Sequence, residues 1–235
     1  MFNNDLSHKE KQVQLVTSFQ ELVSTSFYGE MNALCWSRQL KGDFSEIVKK
    51  VEFKENIAEL SMEELHSLQL SEQGQIARET LLNDFQLLTT HGASPTLNLI
   101  KYYDRDDAYP FFFPTDVYSF HIDRSPLPTD TFLCTYHGEA SEIVPNSQAQ
   151  QKIHIPEIRE ELKKLYNGDE EGFEAFLKEH FFDLHYQEKF DAIPIKLGQG
   201  QLWKLAIDHP ESQAMPCIHR APMEKNNKTR LLMIC

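Results

Sequence analysis

A helical spacing of apolar residues runs through the first ninety positions of the chain. In EKQVQLVTSFQELV the apolar side chains recur close to every 3.6 residues, at Val13, Leu15, Val16, Phe19, Leu22 and Val23. MNALCWSRQL repeats this pattern. Ser61 with Glu64 fits a capping box, Ser71 is a second N-cap, and Gly92 ends the helical run. We therefore expect a helical layer over residues 1–95.

From Thr96 the pattern changes to short runs typical of β-strands. TLNLIKYY, DVYSFHID, TFLCTYHG, GQGQLWKLAI and TRLLMIC are alternating or rich in β-branched and aromatic residues, and turn-forming segments separate them. A charged helical pattern interrupts them at about 150–190, with Pro156 at a helix start and Gly168 as a break. We predict an α+β protein of one structural unit, in which residues 96–235 form a β-sandwich or jelly roll.

Charge and cysteine content narrow the function classes. A net charge of −13 repels phosphate groups, so we expect no nucleic-acid or membrane partner. Cys35, Cys134, Cys217 and Cys235 show no C-x-x-C spacing, which favours a reducing compartment. The N-terminus has no apolar signal region. These features predict a cytoplasmic protein and leave its oligomeric state open.

The candidate chemistry lies in three segments: His121 and Asp123 in YSFHID, His219 in PCIHRAP, and Arg230 in KTRLLMIC. Two imidazoles and one carboxylate can occupy one face of an octahedral iron(II) and leave three positions for a bidentate oxo-acid and dioxygen. In an extended H-x-D segment both side chains point to the same side. An arginine suits the far carboxylate of the oxo-acid because its guanidinium forms two-pronged, charge-assisted hydrogen bonds.

This order of residues resembles the Fe(II)- and 2-oxoglutarate-dependent dioxygenases. Their double-stranded β-helix, a jelly roll of the cupin-like type, carries H-x-D and a distal histidine followed by an arginine that binds the oxo-acid. A closer similarity is to an uncharacterised bacterial domain family with F-H-x-D, T-Y-x-G, H-R-[SA]-P and R-L-L segments. Here these are residues 120–123, 135–138, 219–222 and 230–232. The likeness covers roughly residues 96–235, apart from the helical insertion.

The resemblance implies a site and a reaction. His121, Asp123 and His219 would be catalytic residues that bind Fe(II), and Arg230 would bind 2-oxoglutarate as co-substrate. A small molecule, an amino acid or a protein side chain would be hydroxylated, with release of succinate and CO2. The carboxylate at Asp123 speaks against halogenation, because the halogenases of this superfamily have a small residue in that place.

One departure from the superfamily concerns the oxo-acid site. The superfamily often has Ser or Thr two residues after the arginine, where this chain has Leu232. A tyrosine hydroxyl from another strand is expected to replace it. Tyr136 is the preferred residue because it lies on the strand after H-x-D, with Tyr118 and Tyr103 as the other candidates.

Other interpretations remain open. His137 and Glu139 form an H-x-E motif, which would suit a cupin-like protein that binds a divalent metal without redox chemistry. Zinc bound by His121, Asp123 and His219 would suit the same kind of protein. An interaction protein with a degenerate site is a third possibility. His180 and His185 are expected to be solvated. The phenylalanines at 111–113 fit equally a lid over the metal or an apolar plug.

Overall fold

The computed structural model describes residues 11–105, 113–166, 168–223 and 228–235. Its architecture is mixed α/β, with a large sheet, a layer of helices on one face and short strands on the other. The α-helices are Phe19–Ser24 (α1), Phe44–Lys50 (α2), Met62–Ser67 (α3), Glu72–His91 (α4), Pro156–Leu165 (α5) and Phe173–Glu179 (α6). Within the described ranges, none combines the length and apolar character needed to cross a membrane.

The large sheet contains seven of the strands that the structure describes. They are Val13–Val16 (β1), Ala33–Trp36 (β2), Ile57–Glu59 (β3), Thr96–Ile100 (β4), Asp130–His137 (β5), Leu202–Ala206 (β10) and Arg230–Ile234 (β12). Their order is β1-β2-β10-β5-β12-β4-β3, and the sheet does not close on itself. β1 and β2 are parallel, and the other neighbouring pairs are antiparallel.

Side chains along the central strands point alternately to the two faces of the large sheet, where they form two separate cores. On β5, Cys134 and Tyr136 join the core beneath the helices, whereas Leu133 faces the opposite side. On β12, Met233 faces the helices and Leu232 faces away from them. Because strand side chains alternate with a period of two, Thr135 and Arg230 share the face opposite to the helices.

Short strands cover that second face. They are Glu142–Ile143 (β6), Ala149–Gln151 (β7), Tyr186–Glu188 (β8), Ile195–Lys196 (β9) and His219–Arg220 (β11). The order β11-β6-β9 forms one small antiparallel sheet, and β7 pairs with β8. Ile143 and Leu197 of this layer pack in one core with Leu133, Leu205 and Leu232 of the large sheet. The second core therefore lies between the large sheet and the short strands.

The prediction of a helical layer over residues 1–95 is correct for α1–α4 and wrong where this range forms the strands β1, β2 and β3. The capping box of Ser61, the N-cap of Ser71 and the left-handed C-cap at Gly92 are confirmed. Residues 13–16 and 33–36 were predicted to be helical but form β1 and β2. Their apolar spacing suits a helix, yet the chain pairs them at one end of the large sheet, where β-branched and aromatic residues pack well.

The predictions for residues 96–235 agree better with the structure. The strand predictions at TLNLI, TFLCTYH, LWKLA and RLLMI are confirmed, and the predicted helical segment at 150–190 contains α5, which begins at Pro156, and α6. DVYSFHID forms no extended strand and pairs only at isolated positions.

Candidate metal centre

Backbone pairing places three histidines in one row. The N–H of His121 donates to the carbonyl of His219, and the reverse bond is also 2.9 Å long. On its other side His121 pairs in the antiparallel sense with His185. Residues directly opposite each other in antiparallel pairs carry their side chains on the same face. The ring centroids of His121 and His219 are 4.5 Å apart, and those of His121 and His185 are 5.9 Å apart.

Asp123 completes a group with two of these histidines. Its Oδ1 lies 3.9 Å from Nε2 of His121, and its Oδ2 lies 3.6 Å from Nε2 of His219. One ligand atom from each of the three residues lies within 4.8 Å of the others. Two atoms that each bind one ion at about 2.1 Å are at most about 4.2 Å apart. Both carboxylate–imidazole distances therefore fit a shared ion.

Hydrogen bonds fix the orientation of both imidazoles. Nδ1 of His121 lies 2.8 Å from the carbonyl oxygen of Ser119, and Nδ1 of His219 lies 3.2 Å from that of Cys217. A carbonyl oxygen can only accept, so each Nδ1 carries the proton and donates it. The lone pair of each ring is then on Nε2, the atom next to Asp123. This is the usual arrangement of histidines that bind a metal through Nε2.

The protonation states also suit a metal. Burial, followed by the nearby His219, lowers the pKa of His121 to about 4, so this imidazole is neutral at physiological pH. Burial raises the pKa of the Asp123 carboxyl. His219, the hydroxyl of Thr131 at 2.7 Å and His121 together outweigh that effect and bring its pKa below the usual value. A neutral imidazole and an ionised carboxylate need to release no proton before they coordinate.

Arg230 shares a cavity with the triad. The cavity has a volume of about 290 Å³, and its lining includes His121, Asp123, His219 and Arg230. The remaining lining residues in the described part of the chain are Ile57, Asn98, Ile100, Tyr103, Val117, Leu133, Ser141, Ala221, Leu232 and Ile234. Arg230 is the one lysine or arginine of this lining. The cavity thus combines a potential metal site with one buried guanidinium.

Two hydroxyls hold Arg230 in place. Its Nη2 donates to Oγ1 of Thr135 at 3.0 Å and to Oγ of Ser141 at 2.8 Å. Ser141 and Leu232 both line the cavity. The hydroxyls near the arginine therefore come from β5 and from the segment that follows it. Sequence reasoning missed both residues, because neither lies close to Arg230 along the chain.

Tyr136 is not at the site. Its hydroxyl donates to Oδ2 of Asp84 on α4 at 2.6 Å, and its ring stacks on Phe44 of α2 at a centroid distance of 5.4 Å. The structure contradicts the prediction that Tyr136 binds the oxo-acid. Side chains alternate between the two faces of a strand. Because Thr135 faces Arg230, the next residue, Tyr136, faces the helices.

Tyr118 supports the cavity wall from outside. Its hydroxyl accepts a hydrogen bond from the N–H of Tyr103 at 2.9 Å, and the two rings contact each other edge to face. Tyr103 is a lining residue, whereas Tyr118 is absent from the lining that the described residues form. Of the predicted tyrosines, Tyr103 has therefore the most direct access to the cavity.

The other predicted histidine sites differ from the triad. Within the described residues the triad is the one group of three or more potential ligands close enough to share an ion, so His137 and Glu139 do not form a competing centre. His185 was expected to be solvated, but only 4% of its surface is exposed. Of the three phenylalanines, Phe113 is buried against Phe182, and those at 111 and 112 lie outside the described residues.

A second, larger opening is also lined by residues of the triad. This cleft has a volume of about 1000 Å³. It is lined by Thr115, Asp116, Val117, His121, Ile122, Asp123, Arg124, Ser125, Pro126, His180, Phe181, Leu184, His185, Asp208, His209 and Pro210. His121 and Asp123 line both spaces. Two residues of the triad thus border both an inner cavity that contains Arg230 and an outer cleft lined partly by the helical insertion.

Comparison with known proteins gives one match. A family model described as "Protein of unknown function (DUF1826)" matches residues 116–235, slightly more than half of the chain. No curated protein and no solved structure matches. The matched range contains the triad and Arg230, and it excludes α1–α4. The match assigns no chemistry, so any function must be argued from the site.

Proposed function

The chain belongs to the DUF1826 family of proteins of unknown function, and we propose from its site that it is a non-haem Fe(II)- and 2-oxoglutarate-dependent oxygenase. The reaction would hydroxylate a small organic substrate, with release of succinate and CO2. The observation that carries this proposal is the cavity of about 290 Å³, because the triad and Arg230 both line it.

The donor set fits the proposed metal. Two imidazoles and one carboxylate, with further coordination positions left open, are the ligands that non-haem iron(II) oxygenases use. His121 and His219 would bind through Nε2, and Asp123 would bind through a carboxylate oxygen. Thr131 would orient that carboxylate, and the carbonyls of Ser119 and Cys217 would keep the ring protons on Nδ1. Bound iron(II) would supply the redox chemistry that activates dioxygen.

The inner cavity fits the proposed co-substrate. A 2-oxo dicarboxylate needs a metal at one end and a cation for its far carboxylate. Arg230 is 2% exposed, and its guanidinium is held by Thr135 and Ser141, so it would meet that carboxylate in a preset orientation. Leu133 and Leu232 would exclude water from the carbon chain between the two ends.

The arrangement of the sheets supports the finer fold assignment. We infer a double-stranded β-helix in which β4, β5, β10 and β12 form one wall and the short strands β6, β9 and β11 form the other. The shared core of these two layers and a site between them are what that fold requires.

Anaerobic titration tests the proposal. Metal-free protein should bind one equivalent of Fe(II), and 2-oxoglutarate should then bind and produce a weak charge-transfer absorption in the visible region. Arg230→Leu should weaken binding of 2-oxoglutarate at least about a hundredfold, because two charge-assisted hydrogen bonds of about 1.5–3 kcal/mol each are lost. Arg159→Leu, which removes an arginine of α5, is the matched control.

A second, milder variant leaves the buried Arg230 in place, so that misfolding of Arg230→Leu cannot account for its result. Ser141→Ala removes one of the hydroxyls that hold Arg230 and should weaken 2-oxoglutarate binding severalfold while Fe(II) binding stays unchanged. Metal binding without any binding of the oxo-acid would refute the oxygenase. It would favour the alternative, a cupin-like protein that binds a divalent metal without redox chemistry.

A further inference from the structure

The helical insertion pairs with the segment that carries two of the proposed metal ligands. This ligand segment, residues 119–123, lies outside the strands of the large sheet that the structure describes. The N–H of Ile122 donates to the carbonyl of Leu184 at 3.1 Å, and the N–H of Tyr186 donates to the carbonyl of Phe120 at 2.8 Å. On its other side the ligand segment pairs with β11. The insertion therefore helps to place the ligand segment in the site.

Lys152 joins the insertion to the ligand segment through its side chain. Its backbone N–H donates to the carbonyl of His185 at 2.9 Å, and its Nζ donates to Oγ of Ser119 at 2.7 Å. The same Nζ lies 5.3 Å from the ring centroid of Phe113. Burial lowers the pKa of Lys152 to about 8, and nearby Asp116 opposes this effect, so the amine is mostly protonated at neutral pH. A charged donor forms a stronger hydrogen bond than a neutral one, so the bond holds Ser119 firmly.

Ser119 connects this hydrogen bond to the metal ligand His121. Its carbonyl accepts a hydrogen bond from Nδ1 of His121 at 2.8 Å. Because Oγ and the carbonyl belong to one residue, fixing the side chain limits the movement of the carbonyl. Ser119 is only partly buried and lies in a bend outside the helices and strands. The matching carbonyl, which orients His219, belongs to Cys217, a buried residue of the second core. Core packing thus holds Cys217, whereas a hydrogen bond from Lys152 anchors Ser119.

We propose that Lys152 is a positioning residue of the metal centre, which acts on His121 through Ser119. Its hydrogen bond keeps the Ser119 carbonyl within reach of Nδ1, so that the ring proton stays there and Nε2 remains free beside Asp123. Lys152 does not line the cavity or the cleft that the described residues form, so it acts without contact to a molecule bound in either space. This inference rests on the proposed function for the metal, and it gives the helical insertion a role in that site.

Calorimetric titration of metal-free variants with Co(II) tests this proposal. Lys152→Met keeps most of the side-chain length but removes the donor and the charge, and Ser119→Ala removes the acceptor while it keeps the carbonyl. Each change should weaken Co(II) binding about tenfold, at the lower end of the effect of outer partners of metal ligands. Because both changes break the same bond, the double variant should bind about as weakly as either single variant, and not about a hundredfold more weakly than the wild type. Lys152→Arg retains the charge and a donor and should recover part of the affinity.

The tautomer of His121 provides a second measurement, which requires no metal. In the metal-free wild type, proton–nitrogen NMR of the ring should show the proton on Nδ1. Lys152→Met and Ser119→Ala should show a mixture of the Nδ1–H and Nε2–H forms, and Lys152→Arg should return toward the wild type. A lysine that only stabilised the fold would change the free energy of unfolding in urea and leave the tautomer as it is.

Lys189→Met is the matched control for Lys152→Met. Lys189 also belongs to the insertion, and its Nζ donates to the carbonyl of a serine, Ser147, at 2.7 Å. It is exposed, and this bond reaches no residue of the ligand segment. Lys189→Met should therefore bind Co(II) like the wild type and keep the His121 tautomer.

The outcomes separate this inference from the proposed function. Wild-type Co(II) affinity of Lys152→Met and Ser119→Ala, losses that add in the double variant, or an unchanged His121 tautomer would each overturn the inference. If Lys152→Met does not fold, Ser119→Ala decides by the same two measurements. Failure of the oxygenase proposal would instead appear as a wild type that takes up no metal or no 2-oxoglutarate, and the tautomer in metal-free protein would still test Lys152.

Discussion

Replacing Thr131 by valine tests how the carboxylate of the triad is held. The hydroxyl of Thr131 donates to Oδ2 of Asp123 at 2.7 Å, and that same oxygen faces His219. Valine has nearly the same shape and lacks the donor. A hydrogen bond to a charged group contributes about 1.5–3 kcal/mol, and loss of such an outer partner typically lowers metal affinity about ten- to a hundredfold.

The assay is calorimetric titration of metal-free protein with Co(II). We expect Thr131→Val to weaken binding about ten- to a hundredfold. The loss should be greater at pH 5 than at pH 8, because this hydroxyl helps to lower the pKa of the Asp123 carboxyl. Thr129→Val, an exposed site two residues earlier, should bind like the wild type. Equal affinities of the wild type and Thr131→Val would refute the reasoning.

Three further predictions follow from the same geometry. Tyr136→Phe should lower the free energy of unfolding by about 1–2 kcal/mol, measured in urea, and a change in 2-oxoglutarate affinity would contradict its position beneath the helices. Gly138→Ala should destabilise by about 1–3 kcal/mol and weaken oxo-acid binding, since φ is 87° and a Cβ would lie 3.0 Å from Cα of Arg230; wild-type behaviour would count against this packing. The metal-free protein should lose stability as pH falls below about 6.5, because burial lowers the pKa of His121 to about 4 and of His185 to about 3. Below that pH the unfolded chain binds protons that the folded chain does not. The free energy of unfolding, measured in urea, should therefore fall by up to about 1.4 kcal/mol per pH unit for each imidazole. A free energy of unfolding that does not change with pH would contradict this prediction.

The sequence predicted the convergence of the triad because a short motif already contained much of the geometry. His121 and Asp123 are one residue apart, so their side chains lie close together even though DVYSFHID forms no extended strand. The distal His219 needed only one antiparallel pairing to join them. Arg230 begins a strand whose apolar residues anchor it in the centre of the sheet, so its burial beside the triad follows from the same strand pattern.

Other features depended on information that the local pattern does not contain. β1 and β2 have an apolar spacing that suits a helix, and only pairing within the large sheet makes them strands. The choice of Tyr136 failed because the direction of a side chain depends on which strand face meets the helices. The prediction that His185 is solvated was wrong because its neighbours come from the segment around His121, which is far away in sequence. In each case tertiary contact decided between two locally reasonable alternatives.

The most direct test of the central claim is anomalous diffraction from crystals grown with Co(II) and 2-oxoglutarate, recorded at the cobalt absorption edge. We predict one strong peak within about 2.3 Å of Nε2 of His121, Nε2 of His219 and a carboxylate oxygen of Asp123. The far carboxylate of the oxo-acid should contact Arg230. A peak at any other site, or an oxo-acid bound away from Arg230, would contradict the account.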